Sequence, residues 1–283
     1  MSFKDTPIPA AAEAAGYTRL AFSDDFDTLD TIDLKGEGKP GFHWYIDRPN
    51  GMPDMKPSDF SITEESVLHL EPEMCRPLIG ISSYSKRGDT GYTMQFGYIE
   101  SRIRAKIPGP SYQRKVHCWP AFWTLSKQNI MGWPYEHLGE LDIIEMVAIR
   151  GGQPIYTGTL HDWHGSPQNC ATNFVNSTGY LDQFDFLDDD WHTYAALWEP
   201  GRVAWYLDNK LMHSVTYTPD DVPKYFYRDD PNPLPCPPEE QGWVGAHSVM
   251  DNDPQVIIYG CRGGVADGYR LDSRVAEIRV VPF

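Results

Sequence analysis

No stretch of 18 apolar residues occurs in this 283-residue chain, so the sequence encodes no helix able to span a bilayer. Cysteine is sparse. Cys75, Cys118, Cys170, Cys236 and Cys261 are scattered, none forms a C-x-x-C pair, and an odd number leaves at least one thiol. A tight disulfide framework is therefore not implied, and the redox compartment stays open. Positive charge is also short, 24 Lys and Arg against 40 Asp and Glu, for a net charge of −16. With no basic stripe to displace counterions, nucleic acid is excluded as a partner. Long helical periodicity is absent apart from the short run Ala10 to Ala15. Heptads, internal repeats and low-complexity linkers are absent too, which excludes coiled coils and repeat arrays.

What is present instead is a series of short strand-like runs. Tyr98 to Ala105, Asp142 to Ala148, Val203 to Leu207, Val256 to Tyr259 and Val275 to Val281 are rich in β-branched and aromatic residues. Gly, Pro, Asn and Asp break them, and 24 Gly with 24 Pro imply many turns and extended loops. At 41% hydrophobic residues the chain can build a sizeable core. The expectation is all-β, a jelly-roll sandwich. Two segments, Asp47 to Pro57 and the proline-rich Tyr217 to Gln241, are too long for simple hairpins. Loops of that length either wall a functional cleft or merely elaborate the surface.

The richest chemistry lies in Gly139-Glu140-Leu141-Asp142-Ile143-Ile144-Glu145-Met146. The alternation reads as a strand, with Glu140 and Asp142 on one face and branched apolar side chains on the other. Regular pleating turns Glu145 away, because it is an odd number of residues on. One extra residue, a β-bulge, returns it to the same side. Two Glu carboxyls would then face one groove with an Asp between them, the equipment for acid/base and nucleophilic attack on a glycosidic bond. Three carboxylates held close cannot all ionise cheaply, so at least one should keep its proton. The alternative is an ordinary solvated strand face.

Trp119-Pro120-Ala121-Phe122-Trp123-Thr124-Leu125 precedes this strand, as does Gly132-Trp133-Pro134. Indole rings beside carboxylates suit a pyranose, whose C–H face stacks on aromatics while its hydroxyls take polar partners. For any one of these tryptophans, plain core is the competing reading. His161-Asp162-Trp163-His164 resembles a metal pair, but strand residues three apart face opposite sides. His161 is better read as a hydrogen-bonder to sugar or carboxylate. No metal ligand set is assigned.

Together these residues resemble glycoside hydrolase family 16, with its bulged E-[hydrophobic]-D-x-x-E signature. Further matches run in order: Phe22 to Phe26, Phe96 to Arg102, Gly158 to His161, Trp191 to Ala195, Trp205 to Lys210, and Glu277 to Val280. The likeness extends from about residue 17 to 283, implying one catalytic domain at 17–283 behind an N-terminal extension at 1–16. It implies a concanavalin A-like jelly roll with a concave substrate cleft. It also implies Glu140 as nucleophile, Glu145 as general acid/base and Asp142 as the supporting acid, with Glu140 and Glu145 carboxyls roughly 5 Å apart for retention. Trp119, Trp123, Trp133, His161 and Arg102 are the candidate sugar-binding residues.

The chain departs from the family where Ala276 replaces an Asp that commonly helps hold a structural calcium, and where Val265 follows Gly263-Gly264 without a nearby Trp. No cofactor is required by the chemistry. The expected activity is endo-acting, retaining hydrolysis of a polysaccharide. Asn129 to Pro134 points to the β-1,3-glucanase branch, with an endo-β-galactan or agar hydrolase, a transglycosylase and a non-catalytic lectin-like module as alternatives. Net negative charge favours a neutral polysaccharide over a sulfated one. The first residues lack the apolar core of a secretory signal. Since polysaccharides lie outside cells, the expectation is a mature extracellular or periplasmic monomer with an added start Met.

Overall fold

A computed structural model describes residues 6–47, 55–63, 66–70, 79–106, 119–132, 138–145, 157–163, 169–175, 191–216, 251, 254–262 and 272–281. Most of the Asp47 to Pro57 loop and all of Tyr217 to Gln241 lie outside them. Among the described residues, two antiparallel-dominated sheets account for nearly all the regular structure, and the chain is the all-β jelly-roll sandwich its pattern suggests.

The first sheet runs in the order β16 (Lys210–Thr216), β15 (Arg202–Leu207), β14 (His192–Glu199), β9 (Gly97–Lys106), β18 (Asp272–Val281), β5 (Leu68–Leu70) and β4 (Phe60–Ile62), with β1 (Phe22–Asp24) also paired to β18. The second runs β13 (Asn169–Val175), β12 (Thr157–Trp163), β11 (Leu138–Glu145), β10 (Trp119–Ser126), β17 (Gln255–Arg262), β6 (Ile79–Ser82), β3 (Trp44–Tyr45) and β2 (Ile32–Asp33). A small hairpin, β7 (Tyr84–Ser85) with β8 (Thr90–Gly91), stands apart from both.

Alternating side chains decide which faces meet. Phe122 of β10 stacks on Tyr259 of β17 with ring centroids 4.8 Å apart. The Tyr259 hydroxyl donates across the sandwich to Ser101 Oγ of β9 at 2.5 Å, which marks the inner face of both sheets. Ile99, Ile103, Leu141, Trp198, Trp205 and Ile257 fill the same interior. Each such side chain stabilises the fold by roughly 1.5–3 kcal/mol relative to exposure. Burial pushes the Tyr259 phenol well above its usual range, so it stays a neutral donor.

The β15–β16 hairpin turns through Asp208 and Asn209, both at positive φ (48° and 64°). That conformation suits Asp and Asn and matches the right-handed twist of the strands. Asp208 also accepts from Thr193 N–H at 2.9 Å and lies 2.9 Å from His192 Nδ1, pinning the turn to β14.

The N-terminal segment is not a loose appendage. Helix α1 (Ala10–Ala14) and Tyr17 cover the outer face of the first sheet, where Ala12 and Tyr17 pack with Tyr98, Ala195, Leu197 and Ala204. Tyr17 donates its hydroxyl to Trp198 O at 3.1 Å, and burial pushes its pKa up to about 12. The expected boundary between residues 16 and 17 thus falls inside a packed cluster. Among the described residues no helix is long and apolar enough to cross a membrane.

Candidate active site

Leu141, Ile143 and Ile144 are all buried, while Glu140 and Asp142 stand on the other face of β11. The face is defined by the ladder. Leu141 pairs with Thr124, which pairs in turn with Ile257 of the inner face. Glu140 and Asp142 therefore project away from the first sheet.

The ladder then slips where the carboxylate spacing requires it. Against β12, Glu140 pairs with His161 and Asp142 with Thr159, but the next pair is Glu145 with Thr157. Three steps on β11 match two on β12, the signature of a bulge. Against β10 the pairing jumps from Trp123–Asp142 to Phe122–Ile144, leaving Ile143 as the extra residue. The backbone register thus returns position 145 to the same row as 140 and 142. The side chain of Glu145 lies outside the described residues, as does its carboxyl separation from Glu140.

His161 sits directly across the ladder from Glu140 and leans toward both acids. Its Nε2 is 3.0 Å from Asp142 Oδ2 and 3.9 Å from Glu140 Oε1. Side-chain exposure differs sharply, 1% for Asp142 and 12% for Glu140. The buried Asp142 lies against the ring, whereas the Glu140 carboxylate keeps an opening through which a substrate atom can approach. Thr159, buried opposite Asp142, completes the floor. Among the described residues, Glu140, Asp142 and His161 are also a set whose donor atoms lie close enough to share a cation, within 4.8 Å of one another. Exposed acidic groups commonly show such spacing without a metal.

The remaining sequence candidates scatter. Trp123 shares the ladder position of Asp142, yet it is only 8% exposed and belongs to the core cluster. Trp119 begins β10 opposite Arg262, and its side chain lies outside the described residues, as does all of Trp133. Arg102 is a correction. It stands on β9 in the other sheet, exposed on the outer face, with its guanidinium 5.3 Å from the Trp191 ring centroid. Strand alternation places it with Arg104, away from Ser101 and Ile103, so it cannot reach the acidic group.

One contributor escaped sequence reasoning. The indole of Trp205, in the opposite sheet, donates to the main-chain carbonyl of Asp142 at 2.8 Å. The W-Y-L-D-N-K segment reads as a hairpin, and nothing in it announces a partner 63 residues away.

Comparisons with known proteins converge on one family and one fold. The sequence profile described as Glycosyl hydrolases family 16 matches residues 55–248. A glucan endo-1,3-beta-glucosidase A1 of Niallia circulans is 28% identical over 125 residues, 44% of this chain and 16% of that protein. A glucan endo-1,3-beta-glucosidase of Cryptopygus antarcticus is 34% identical over 113 residues, 40% of this chain and 37% of the relative. The matches therefore span well under half of those relatives' lengths. Among solved structures, the laminarinase catalytic domain of Thermotoga maritima superposes with a TM-score of 0.55 at 18% identity, covering 94% of this chain and 98% of that one. The endo-beta-1,3-glucanase of Pyrococcus furiosus gives 0.56 at 20% identity, covering 93% of each chain. At such identities the structural likeness speaks to the fold.

Proposed function

The chain belongs to glycosyl hydrolases family 16, and on that premise we propose that it is an endo-acting, retaining β-glycoside hydrolase whose substrate is a β-1,3-linked glucan. The observation that carries the reading is the grouping of Glu140, Asp142 and His161 beside a bulge that brings position 145 into their row. The glucanase branch is supported by the names of the relatives and by the Asn129 to Pro134 segment leading into the acidic strand.

In this mechanism the Glu140 carboxylate attacks the anomeric carbon as the bond to the leaving sugar breaks, forming a glycosyl ester. Glu145 gives its proton to the departing oxygen, then takes one from the water that hydrolyses the ester. Asp142, almost fully buried beside Glu140, steadies the nucleophile and is the place for a shared proton, since neighbouring carboxyl groups do not both ionise cheaply. His161 Nε2 stands 3.0 Å from Asp142 Oδ2, within reach of both acids. The chemistry needs only carboxyl groups and water. An acidic protein acting on a neutral glucan avoids self-repulsion with its substrate, and its setting would be extracellular or periplasmic, where such polymers lie.

The test is mass spectrometry of products after incubation with laminarin, mixed-linkage glucan, agarose, porphyran and arabinogalactan. Oligosaccharides from laminarin are expected. Glu140→Gln should lose on the order of 10³-fold or more in kcat while retaining its melting temperature and affinity for laminarin. Undiminished hydrolysis by that variant overturns the nucleophile. Products from agarose or arabinogalactan alone overturn the glucan. Silence on every polymer, with retardation in affinity electrophoresis, makes the protein a binding module.

A further inference from the structure

We propose that Trp205 is a positioning residue for the reaction, because its indole N–H holds the main-chain carbonyl from which the β11 bulge begins. The inference rests on the reading of Glu140 and Glu145 as the reacting pair. Trp205 is fully buried in β15, in the sheet opposite the acidic strand, and donates to Asp142 O at 2.8 Å. The oxygen it holds belongs to the peptide between Asp142 and Ile143. Ile143 is the residue left over when the ladder passes from Trp123–Asp142 to Phe122–Ile144. Rotation of that one peptide resets the backbone on which the spacing of Glu140 and Glu145 depends. A buried main-chain carbonyl needs a donor. Here the donor comes from across the core.

Among the described residues, the other fully buried tryptophans are employed differently. Trp44 donates to the Asp24 carboxylate at 2.9 Å and Trp198 to the Asp251 carboxylate at 3.1 Å. Trp205 donates instead to the main chain of the acidic strand. Its own surroundings are built to aim it. The β15–β16 ladder shifts register between Trp205 and Tyr206, and the ring lies against His213 with centroids 6.1 Å apart. Two irregularities, one in each sheet, are thus joined by a single hydrogen bond through the sandwich.

The experiment replaces Trp205 by Phe and, to keep the bicyclic shape, by 3-benzothienylalanine, in which sulfur stands for the N–H. Trp198→Phe serves as control, since it deletes a comparable buried indole bond that runs to the Asp251 carboxylate instead of to β11. Each protein is assayed on laminarin well below its own melting temperature, and hydrogen exchange is followed across residues 138–145. Both Trp205 replacements should lower kcat by about 10- to 100-fold at unchanged KM, the size of effect a misplaced reacting group produces. They should also move the limbs of the pH–rate profile and speed exchange within 138–145. The control should lose stability while keeping the wild-type pH profile and exchange in that segment. Wild-type kcat, pH profile and exchange in the benzothienylalanine protein overturn the proposal. If the unmodified protein cleaves no glucan, the catalytic reading fails by itself. Exchange across 138–145 then judges the strut alone, and unchanged exchange overturns it.

Discussion

Trp123 stands next to Asp142 in the ladder, which is where a stacking platform would be wanted, yet its side chain is almost wholly buried and belongs to the apolar core cluster. Its energy therefore lies chiefly in packing. Trp123→Ala should cost about 3–5 kcal/mol of stability, as truncation of a buried aromatic does. Thermal unfolding measured beside Michaelis kinetics checks this. A variant with normal melting temperature and a raised KM would return the indole to the substrate. Asp24 poses the opposite case, a buried carboxylate that stays charged. Burial pushes its pKa up, but the hydrogen bonds it makes with His43 and the Phe26 N–H outweigh that, and the net shift is downward. A carboxyl with a depressed folded-state pKa contributes stability that is present above its unfolded value, about 3.9, and is lost as pH falls through the folded value. Asp24→Asn should flatten that acid-side loss, read as the change in urea midpoint between neutral and strongly acidic pH. The same carboxylate accepts from Trp44 Nε1 at 2.9 Å and from Phe26 N–H at 2.8 Å, the latter supporting a phenylalanine at positive φ. Sequence marks Asp24 only as part of an opening strand. Its partners at residues 43 and 44 are invisible until the chain has folded back.

Elements divide along the same line. The bulge in β11 is legible in the residues because an odd carboxylate spacing on an otherwise alternating strand admits one simple remedy, an extra residue, and the ladder contains it at Ile143. The β15–β16 turn is legible because Asp-Asn at positive φ is local chemistry. Helix α1 is different. Its alanine run suggests a short helix, but five residues cannot hold themselves helical in water, and packing must do so. Removing residues 1–17 should expose Tyr98, Ala195, Leu197 and Ala204. We expect a clear fall in melting temperature and increased binding of a hydrophobic dye, with little change in kcat because the segment covers the outer face of the other sheet. An unchanged melting curve would make it dispensable. Arg102 shows how a correctly read strand can still mislead. The motif locates β9, while only the sheet order reveals that this strand lies in the layer away from the acids.

For the whole molecule, the two sheets act as one support. Tyr259 to Ser101 and Trp205 to Asp142 O tie them through the core, so the acidic row rests on a layer it never touches in sequence. Alternation, turn chemistry and an uneven trio of carboxylates are local properties, set by the two-residue period of a strand. They determined that this chain would be an all-β sandwich with Glu140 and Asp142 on one face and a bulge before Glu145. Which strands adjoin, which face is solvent, that His161 comes within 3.0 Å of Asp142, that Arg102 stands in the other layer and that Trp205 reaches the bulge were decided by tertiary structure. Those contacts join residues far apart in the chain, and no local period encodes the order in which sheets assemble.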